Sequence, residues 1–372
     1  MNIKVKISIT FLAILTIVLF FFFLKKKENQ IKSKKTETKI NGDTIFSEFI
    51  CTNENYSFES QVFDTSFNWN EQKVNLKISA KLLENDTLKN TDTLLENNKI
   101  KINKYVGFDA SYDIQLLDEK GNLIFKTNFN KNTFNNECSF SDLVTTAAFL
   151  PEFVDYLPSF DAFLFKINIG EPQTDYFGEN IFLINSKGEI IDKRFSRIYG
   201  GQECAGNLTV SVNKDYFMTC YEIVKPNKNV IKLYEDNVSQ IGVEMINDNC
   251  ILVIQEAEKL KNLNAKFIDN NGNTLKKFTF NGYYSTLDYS LFIDYDELSK
   301  MYYMLDIQNY KLISFSKDKP LEMKSMNYME FPPHNNTLST TENVVEFDAL
   351  DSTYRFYIYP EKYIIKKEIL KK

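Results

Sequence analysis

Residues 7–24 form an uninterrupted apolar run, and this run constrains the chain more than any other feature of its sequence. Lys4 and Lys6 precede the run, and three lysines follow it at positions 25–27. At about 1.5 Å of rise per residue, a helix of this length spans roughly 27 Å, close to the roughly 30 Å of the hydrocarbon core of a bilayer. The sequence therefore predicts an N-terminal transmembrane helix over residues 1–27.

The residues after the run favour a retained anchor over a cleaved signal peptide. A signal peptidase needs small residues in an A-x-A-like pattern, whereas this run ends in Lys25-Lys26-Lys27-Glu28. A lipoprotein would need a cysteine directly after the run, and the first cysteine is Cys51. We expect a signal-anchor followed by a basic linker over residues 28–44.

The lysines bear on which side of the membrane the body lies. The positive-inside rule, applied to the lysines after the run, would keep the body in the cytoplasm. Short basic tails commonly precede N-terminal anchors, however, and long domains are translocated largely regardless of charge. We therefore expect a single-pass membrane protein of the cell envelope whose large domain is extracytoplasmic, in the periplasm.

The charge of the body argues against nucleic acid as a partner. Lys4 and Lys6 contribute +2 and residues 25–39 contribute +5, which leaves −13 for the rest of a chain whose net charge is −6. An acidic body repels phosphate backbones. We expect no nucleic-acid partner, and we expect contact with the membrane through the N-terminal helix.

The cysteines leave disulfide pairing open and argue against a metal site. The chain has five cysteines, at positions 51, 138, 204, 220 and 250, and none of them forms a C-x-x-C pair. In an exported domain, one or two bridges among them are plausible; in a cytoplasmic one they would be buried thiols. With His334 as the only histidine, the usual ligand set for zinc is missing. We expect no metal and no cofactor.

The body consists of recurring β-hairpin patterns. Three hairpins place a glycine in a polar turn between apolar runs, at residues 116–125, 181–191 and 267–275. Three related hairpins without the glycine are predicted at residues 221–234, 302–315 and 354–369. The turn centres after residue 180 are separated by 37 to 52 residues; they are Gly188, Lys228, Gly272, Asn309 and Glu361.

This spacing predicts an all-β fold built as a β-propeller-like array of four-stranded units, because one propeller blade needs about forty residues. One unit is expected from strands at residues 207–212, 216–224 and 230–234, and the next from strands at 243–246, 250–254, 265–269 and 274–280. The alternative is one or two β-sandwich domains whose hairpins recur at ordinary spacing. We place the propeller-like domain at residues 159–372.

Residues 45–158 form an N-terminal β-rich region in this interpretation. Residues 45–130 alternate in polarity without a clear fourfold unit. A short capped helix is predicted at residues 141–150, stopped by Pro151, and another at residues 256–263.

The hairpin turns resemble those of anchored or exported β-propeller proteins of Bacteroidota envelopes, whose blades often end in an Asp-x-x-Gly hairpin. The resemblance covers residues 160–370 and depends on Asn185-Ser186-Lys187-Gly188 and Asp269-Asn270-Asn271-Gly272, the first of which has asparagine in place of the aspartate. It implies a scaffold and assigns no activity.

Few residues are candidates for chemistry. Asp294 and Asp296 would point to the same side of a strand, where paired carboxylates can act as acid and base, although a polar strand end has the same pattern. Cys204 lies among glycines, faintly like a protease nucleophile, and is otherwise a bridge or loop residue. His334 lies in a Pro-Pro-His-Asn-Asn loop, where a histidine is usually solvated. The turn at Asp269 lacks the spacing of a calcium loop.

Two function classes remain. The first is a membrane-tethered binding or scaffold protein without catalytic residues, whose aromatic loops contact another envelope protein or a glycan. The alternative is a carboxylate-dependent enzyme that acts on an envelope polymer from a propeller channel. We favour the first, because the residues that most enzymes recruit are missing.

Overall fold

The computed structural model is all-β in the residues it describes, which are 36–40, 44–50, 58–96, 99–134, 149–170, 177–199, 204–226, 229–234, 238–256, 263–285, 289–334, 343–359 and 364–372. The apolar run at residues 7–24 lies outside these ranges, as do residues 141–148 of the helix predicted at 141–150 and most of the helix predicted at 256–263. No helix among the described residues is long and apolar enough to cross a membrane. The predicted linker at residues 28–44 contains one strand, Thr36–Ile40.

The strands form consecutive antiparallel sheets, which we number in chain order. Sheet 1 contains β1 (Thr36–Ile40), β2 (Thr44–Ile50), β3 (Gln61–Trp69), β4 (Gln72–Glu96), β5 (Lys99–Asp118) and β6 (Leu123–Asn130). Within it, β3 to β6 pair in sequence order, and β2 adds to the far part of β5 in parallel. Sheet 2 contains β7 (Glu152–Leu157), β8 (Ala162–Gly170), β9 (Phe177–Asn185) and β10 (Ile190–Tyr199).

Sheets 3 to 6 repeat this meander. Sheet 3 contains β11 (Thr209–Val210), β12 (Phe217–Met218), β13 (Glu222–Lys225) and β14 (Asn229–Lys232), and sheet 4 contains β15 (Gln240–Asn247), β16 (Cys250–Gln255), β17 (Ala265–Ile268) and β18 (Thr274–Phe278). A ribbon of β19 (Tyr283–Ser285) and β20 (Tyr289–Leu291) leads to sheet 5, which contains β21 (Ile293–Asp296), β22 (Met301–Asp306), β23 (Lys311–Ser316) and β24 (Lys324–Asn327). Sheet 6 contains β25 (Asn343–Asp348), β26 (Ser352–Tyr359) and β27 (Ile364–Lys371).

Apolar layers join each sheet to the next. In β8, Phe163 packs in the layer shared with sheet 1, and its neighbour Leu164 packs in the layer shared with sheet 3. In β16, Leu252 faces sheet 5 and Val253 faces sheet 3. Sheets 5 and 6 share a further layer. Successive residues of a strand point to opposite faces, so the middle strands have both faces buried and their sequences are continuous apolar runs.

All six predicted hairpins are confirmed by strand pairing. Residues 45–130, where the sequence showed no clear fourfold unit, contain four strands that pair in sequence order, β3 to β6. One sequence prediction needs correction. The single strand expected at residues 216–224 is two strands, because the Thr219 hydroxyl accepts hydrogen bonds from the backbone N–H groups of Tyr221 and Glu222 and so forms a turn. The expected domain boundary after residue 158 falls between β7 and β8, which pair with each other.

Two of the three glycine turns, those at Gly188 and Gly272, contact the preceding sheet. Gly121, Gly188 and Gly272 have φ of +84°, +82° and +83°, the left-handed region that glycine adopts most readily. The Gly188 carbonyl in sheet 2 accepts a hydrogen bond of 2.7 Å from the Thr127 hydroxyl in sheet 1. Gly272 in sheet 4 lies against Ile231 in sheet 3, where a Cβ would be only 2.7 Å from Ile231 Cγ2. These turns therefore dock on the last strand of the preceding sheet.

This docking predicts that Gly272→Ala destabilises the protein more than Gly121→Ala. Both substitutions place a side chain at a left-handed φ, which costs about 1 to 2 kcal/mol. At Gly121 a Cβ meets nothing within 4 Å, whereas at Gly272 it meets Ile231. We expect Gly272→Ala to lower the free energy of unfolding by about 1 kcal/mol more than Gly121→Ala does, measured by denaturant unfolding. Equal losses would show that the turn does not dock.

Candidate functional site

Asp294 and Asp296 lie on β21 and are engaged in local hydrogen bonds. Asp296 accepts from the backbone N–H groups of Leu298 and Ser299, and from Asn343 Nδ2 at 3.0 Å. Asp294 accepts from the backbone N–H of the next residue, Tyr295. Both carboxylates therefore organise the end of a strand and its turn. This agrees with the interpretation of the pair as a polar strand end.

His334 packs against sheet 6. Its backbone N–H donates to the carbonyl of Lys367 at 2.9 Å, and its ring stacks on Tyr357 with 3.5 Å between centroids. In the described part of the chain, no group forms a hydrogen bond with its buried Nδ1. The histidine therefore contacts β26 and β27 instead of being a solvated loop residue.

Cys204 forms a disulfide with Cys220, across 16 residues of sequence. This agrees with the interpretation of Cys204 as a bridge residue and excludes a free nucleophilic thiolate there. Cys250 is a free, buried cysteine, and burial raises the pKa of its thiol to about 12. Neither position offers a reactive thiolate at neutral pH. Cys51 and Cys138 lie outside the described residues.

No group of three or more His, Cys, Asp or Glu side chains in the described ranges is arranged to hold a metal ion. A cavity of about 880 Å³ opens between sheets 3, 4 and 5, next to Cys250 and Asp248. The Asp248 carboxylate accepts hydrogen bonds from the backbone N–H groups of Val212 and Asn213. That carboxylate therefore holds the wall of the cavity together.

A second cavity, of about 500 Å³, combines aromatic rings with polar side chains, and we call it the cleft. It lies where β10 of sheet 2, β13 and β14 of sheet 3 and the start of β15 in sheet 4 come together. Its volume is within the range of small-molecule sites. The lining residues used below are Arg194, Phe195, Tyr221, Glu222, Lys232, Tyr234 and Gln240.

Aromatic rings form one wall of the cleft. Phe195 and Tyr221 stack with 6.3 Å between centroids and 20° between planes, and Tyr234 meets Tyr221 edge to face at 6.2 Å. All three residues are half-buried, so part of each ring remains accessible. Lys232 Nζ lies 5.5 Å from the centroid of Tyr234. This wall offers flat apolar surface beside polar edges.

The partly buried charges of the cleft are paired. Arg194 Nε donates to Asp192 at 2.6 Å, and Arg194 Nη1 donates to Glu222 at 2.9 Å, which connects sheet 2 to sheet 3. Burial alone would lower the pKa of Arg194, but the hydrogen bond with Asp192 and the charge of Glu222 outweigh it and raise that pKa. Asp192 itself lies outside the lining, and the second cation of the lining, Lys232, is exposed to solvent. The partly buried charges are therefore compensated, and Lys232 adds one positive charge at an exposed position of the cleft.

Gln240 supplies amide groups without hydrogen-bond partners. Its side chain is only 8% exposed, and neither Nε2 nor Oε1 has a partner among the described residues. Gln255, directly opposite on β16, also has an unpartnered Nε2. Asn180, fully buried opposite Phe195 on β9, has neither amide atom paired within the described part of the chain. Burying such groups unpaired costs about 1 to 3 kcal/mol each. Of these three side chains, Gln240 lines the cleft, so a ligand in the cleft gains by pairing with the amide of Gln240.

Sequence reasoning missed every residue of the cleft. Arg194 and Glu222 are 28 residues apart, and Gln240 lies in a third sheet, so no spacing brings them together. For two buried polar residues outside the cleft, Asn180 and Gln255, a signal was present in the sequence, because both lie within largely apolar strands. Such positions mark buried polar groups that need an explanation.

Glu244 on β15 is a further acid, half-buried, that the sequence did not indicate. Burial raises the pKa of its carboxyl to about 7, and Tyr302 on the neighbouring sheet interacts with its charge. It does not line the cleft.

Comparisons with known proteins assign no family. No family model matches the chain, and no curated protein matches it. A chain in a crystal structure of a nidogen/laminin complex is similar with 9% identity and a TM-score of 0.27, covering 84% of this chain and 98% of that chain. A protein of unknown function from Bacteroides caccae is similar with 11% identity and a TM-score of 0.23, covering 73% of this chain and 94% of that chain. At these TM-scores the likenesses carry no argument, and the fold stands on its strand pairing.

The pKa of Glu244 predicts a pH-dependent stability. In the unfolded chain this group ionises near 4.5 and in the folded protein near 7, so its destabilising effect grows as the pH rises from 4.5 to 7. We expect Glu244→Gln to raise the free energy of unfolding by roughly 2 to 3 kcal/mol at pH 8 and to leave it nearly unchanged at pH 4. Denaturant unfolding across this pH range measures the difference. The control is Glu119→Gln, at an exposed turn position; a similar profile for both variants would contradict the prediction.

Proposed function

We propose that this chain is a membrane-tethered binding or scaffold protein whose body lies outside the cytoplasm and whose sheets are arranged as a propeller. The propeller arrangement is supported by consecutive four-stranded meanders that pack face to face in chain order. The unit length of about forty residues is also that of a propeller blade.

The proposed location is supported by two independent features. The run at residues 7–24 has the length of a membrane-spanning helix and is followed by lysines instead of a cleavage site. The chain contains a disulfide, Cys204–Cys220, and disulfides form and persist in oxidising compartments.

The binding role is supported most directly by the Gln240 amide, which is buried in the cleft without a partner. Binding sites combine apolar and aromatic walls with a few oriented polar groups, and the cleft has this composition. The partner is another envelope protein or a glycan. Asp294 and Asp296, on which the enzymatic alternative depends, are both engaged in local hydrogen bonds, so we do not pursue that alternative.

A pair of cysteine variants tests the membrane topology. Val212 is 82% exposed on the body, and Asn2 precedes the apolar run. We expect an impermeant thiol reagent to label Val212→Cys in intact cells and to label Asn2→Cys only after lysis. In both cases the labelling is measured as the excess over that of the parent chain. The opposite pattern would place the body in the cytoplasm.

Site-specific photocrosslinking in cells tests whether the cleft engages a partner. A photoreactive amino acid at Lys232, an exposed residue at the cleft, is expected to form an adduct. The same group at Lys319, whose side chain is 67% exposed and which does not line the cleft, serves as the matched control and is expected to form none. Equal adducts at both positions, or none at Lys232, would contradict binding in the cleft.

A further inference from the structure

We infer that the ligand of the cleft is an uncharged saccharide, which rests on the binding function proposed above and specifies its ligand class. Three properties of the cleft carry this inference: the pairing of its partly buried charges, its flat aromatic wall and its unpaired amide. Each of them excludes part of the range of possible ligands.

The paired charges argue against a strongly charged ligand. The guanidinium of Arg194 already donates to Asp192 and to Glu222, so it presents no unneutralised cation to a phosphate or carboxylate. The carboxylate of Glu222 is likewise engaged and offers no free anion to a cationic ligand. A strongly charged ligand in contact with these groups would have to break one of the partly buried pairs, which is unfavourable. The other charge of the lining, the ammonium of Lys232, is exposed to water and so attracts an anion only weakly.

The aromatic wall indicates a ligand with flat apolar faces. The rings of Phe195 and Tyr221 lie within 20° of parallel, with Tyr234 at right angles beside them. The faces of a pyranose ring consist largely of C–H groups and pack on such a surface. The volume of about 500 Å³ accommodates a few sugar units and excludes a folded domain.

The Gln240 amide indicates a ligand with hydroxyl groups. Its Nε2 is a donor and its Oε1 an acceptor, and both are buried without partners among the described residues. A hydroxyl is donor and acceptor at once, so two adjacent sugar hydroxyls satisfy both atoms of one amide. A site built to pair with hydroxyls also rejects analogues that lack them, because its buried groups then remain unpaired.

Calorimetric titration of the purified full chain tests this inference. The chain is placed in lipid nanodiscs, since sugar-based detergents would compete for the cleft. The probes are cellotetraose, mannotetraose and chitotetraose, with tetragalacturonate as the acidic comparison and a neutral tetrapeptide as the peptide comparison. We expect at least one neutral saccharide to bind, and the two comparison probes not to bind.

Two variants tie this binding to the cleft. Gln240→Met keeps the shape of the side chain and removes both hydrogen-bonding atoms, so we expect saccharide affinity to fall by about tenfold while the melting temperature stays the same or rises. Tyr234→Ala removes part of the aromatic wall and is expected to weaken binding similarly. Val212→Ala, at an exposed position outside the cleft, is the control and is expected to leave affinity unchanged.

Each outcome decides for or against the inference. Neutral saccharide binding that is lost in Gln240→Met supports it. Absence of neutral saccharide binding, binding of only the acidic or peptide probe, or full affinity in Gln240→Met overturns it. If saccharides fail while a protein crosslinks at Lys232, the proposed binding function stands and the ligand class is wrong; if both fail, the binding function is wrong as well.

Discussion

The fold depends on burial of both faces of the internal sheets. In sheet 2, Phe163, Phe165 and Phe182 pack toward sheet 1, while Leu164 and Leu183 pack toward sheet 3. Neither face can be exposed without loss of a large apolar area, at about 25 cal/mol for each Å². Each sheet is therefore stable only between its neighbours, and the position of every surface feature follows from this stacking of apolar layers.

The cleft lies beside the apolar layers, at a place where polar side chains line the surface. The ion pair between Arg194 and Glu222 joins β10, the edge strand of sheet 2, to β13 of sheet 3, and the chain then crosses to Gln240 at the start of sheet 4. An ion pair of this kind adds little stability in itself, because desolvation offsets much of the attraction. Its effect is geometric, since it holds the aromatic wall and the amide of Gln240 around one cavity.

The hairpins were predictable because turn chemistry is local. Gly188 and Gly272 adopt a left-handed φ, and the Asx residue that opens each turn accepts backbone hydrogen bonds, so the signal lies within five residues. The fourfold unit of sheet 1 was missed because β4 and β5 extend far beyond ordinary strand length, to 25 and 20 residues. Their far parts pair with each other, and that of β5 pairs with β2 as well. The break in the strand at Thr219 was missed because it depends on one hydroxyl.

The sequence by itself determined the all-β class, the six hairpins, an acidic body and an apolar run of membrane-spanning length. These features follow from the composition, from the residues in the turns and from the spacing of apolar residues along the chain. It also supplied Asp294, Asp296, Cys204 and His334 as candidates, and their roles as turn, disulfide and packing residues emerged only from their contacts. The tertiary structure alone decided which cysteines pair and which side chains form the cleft. Those side chains come from three sheets and meet only because the apolar layers stack in chain order, a long-range constraint that no local pattern encodes.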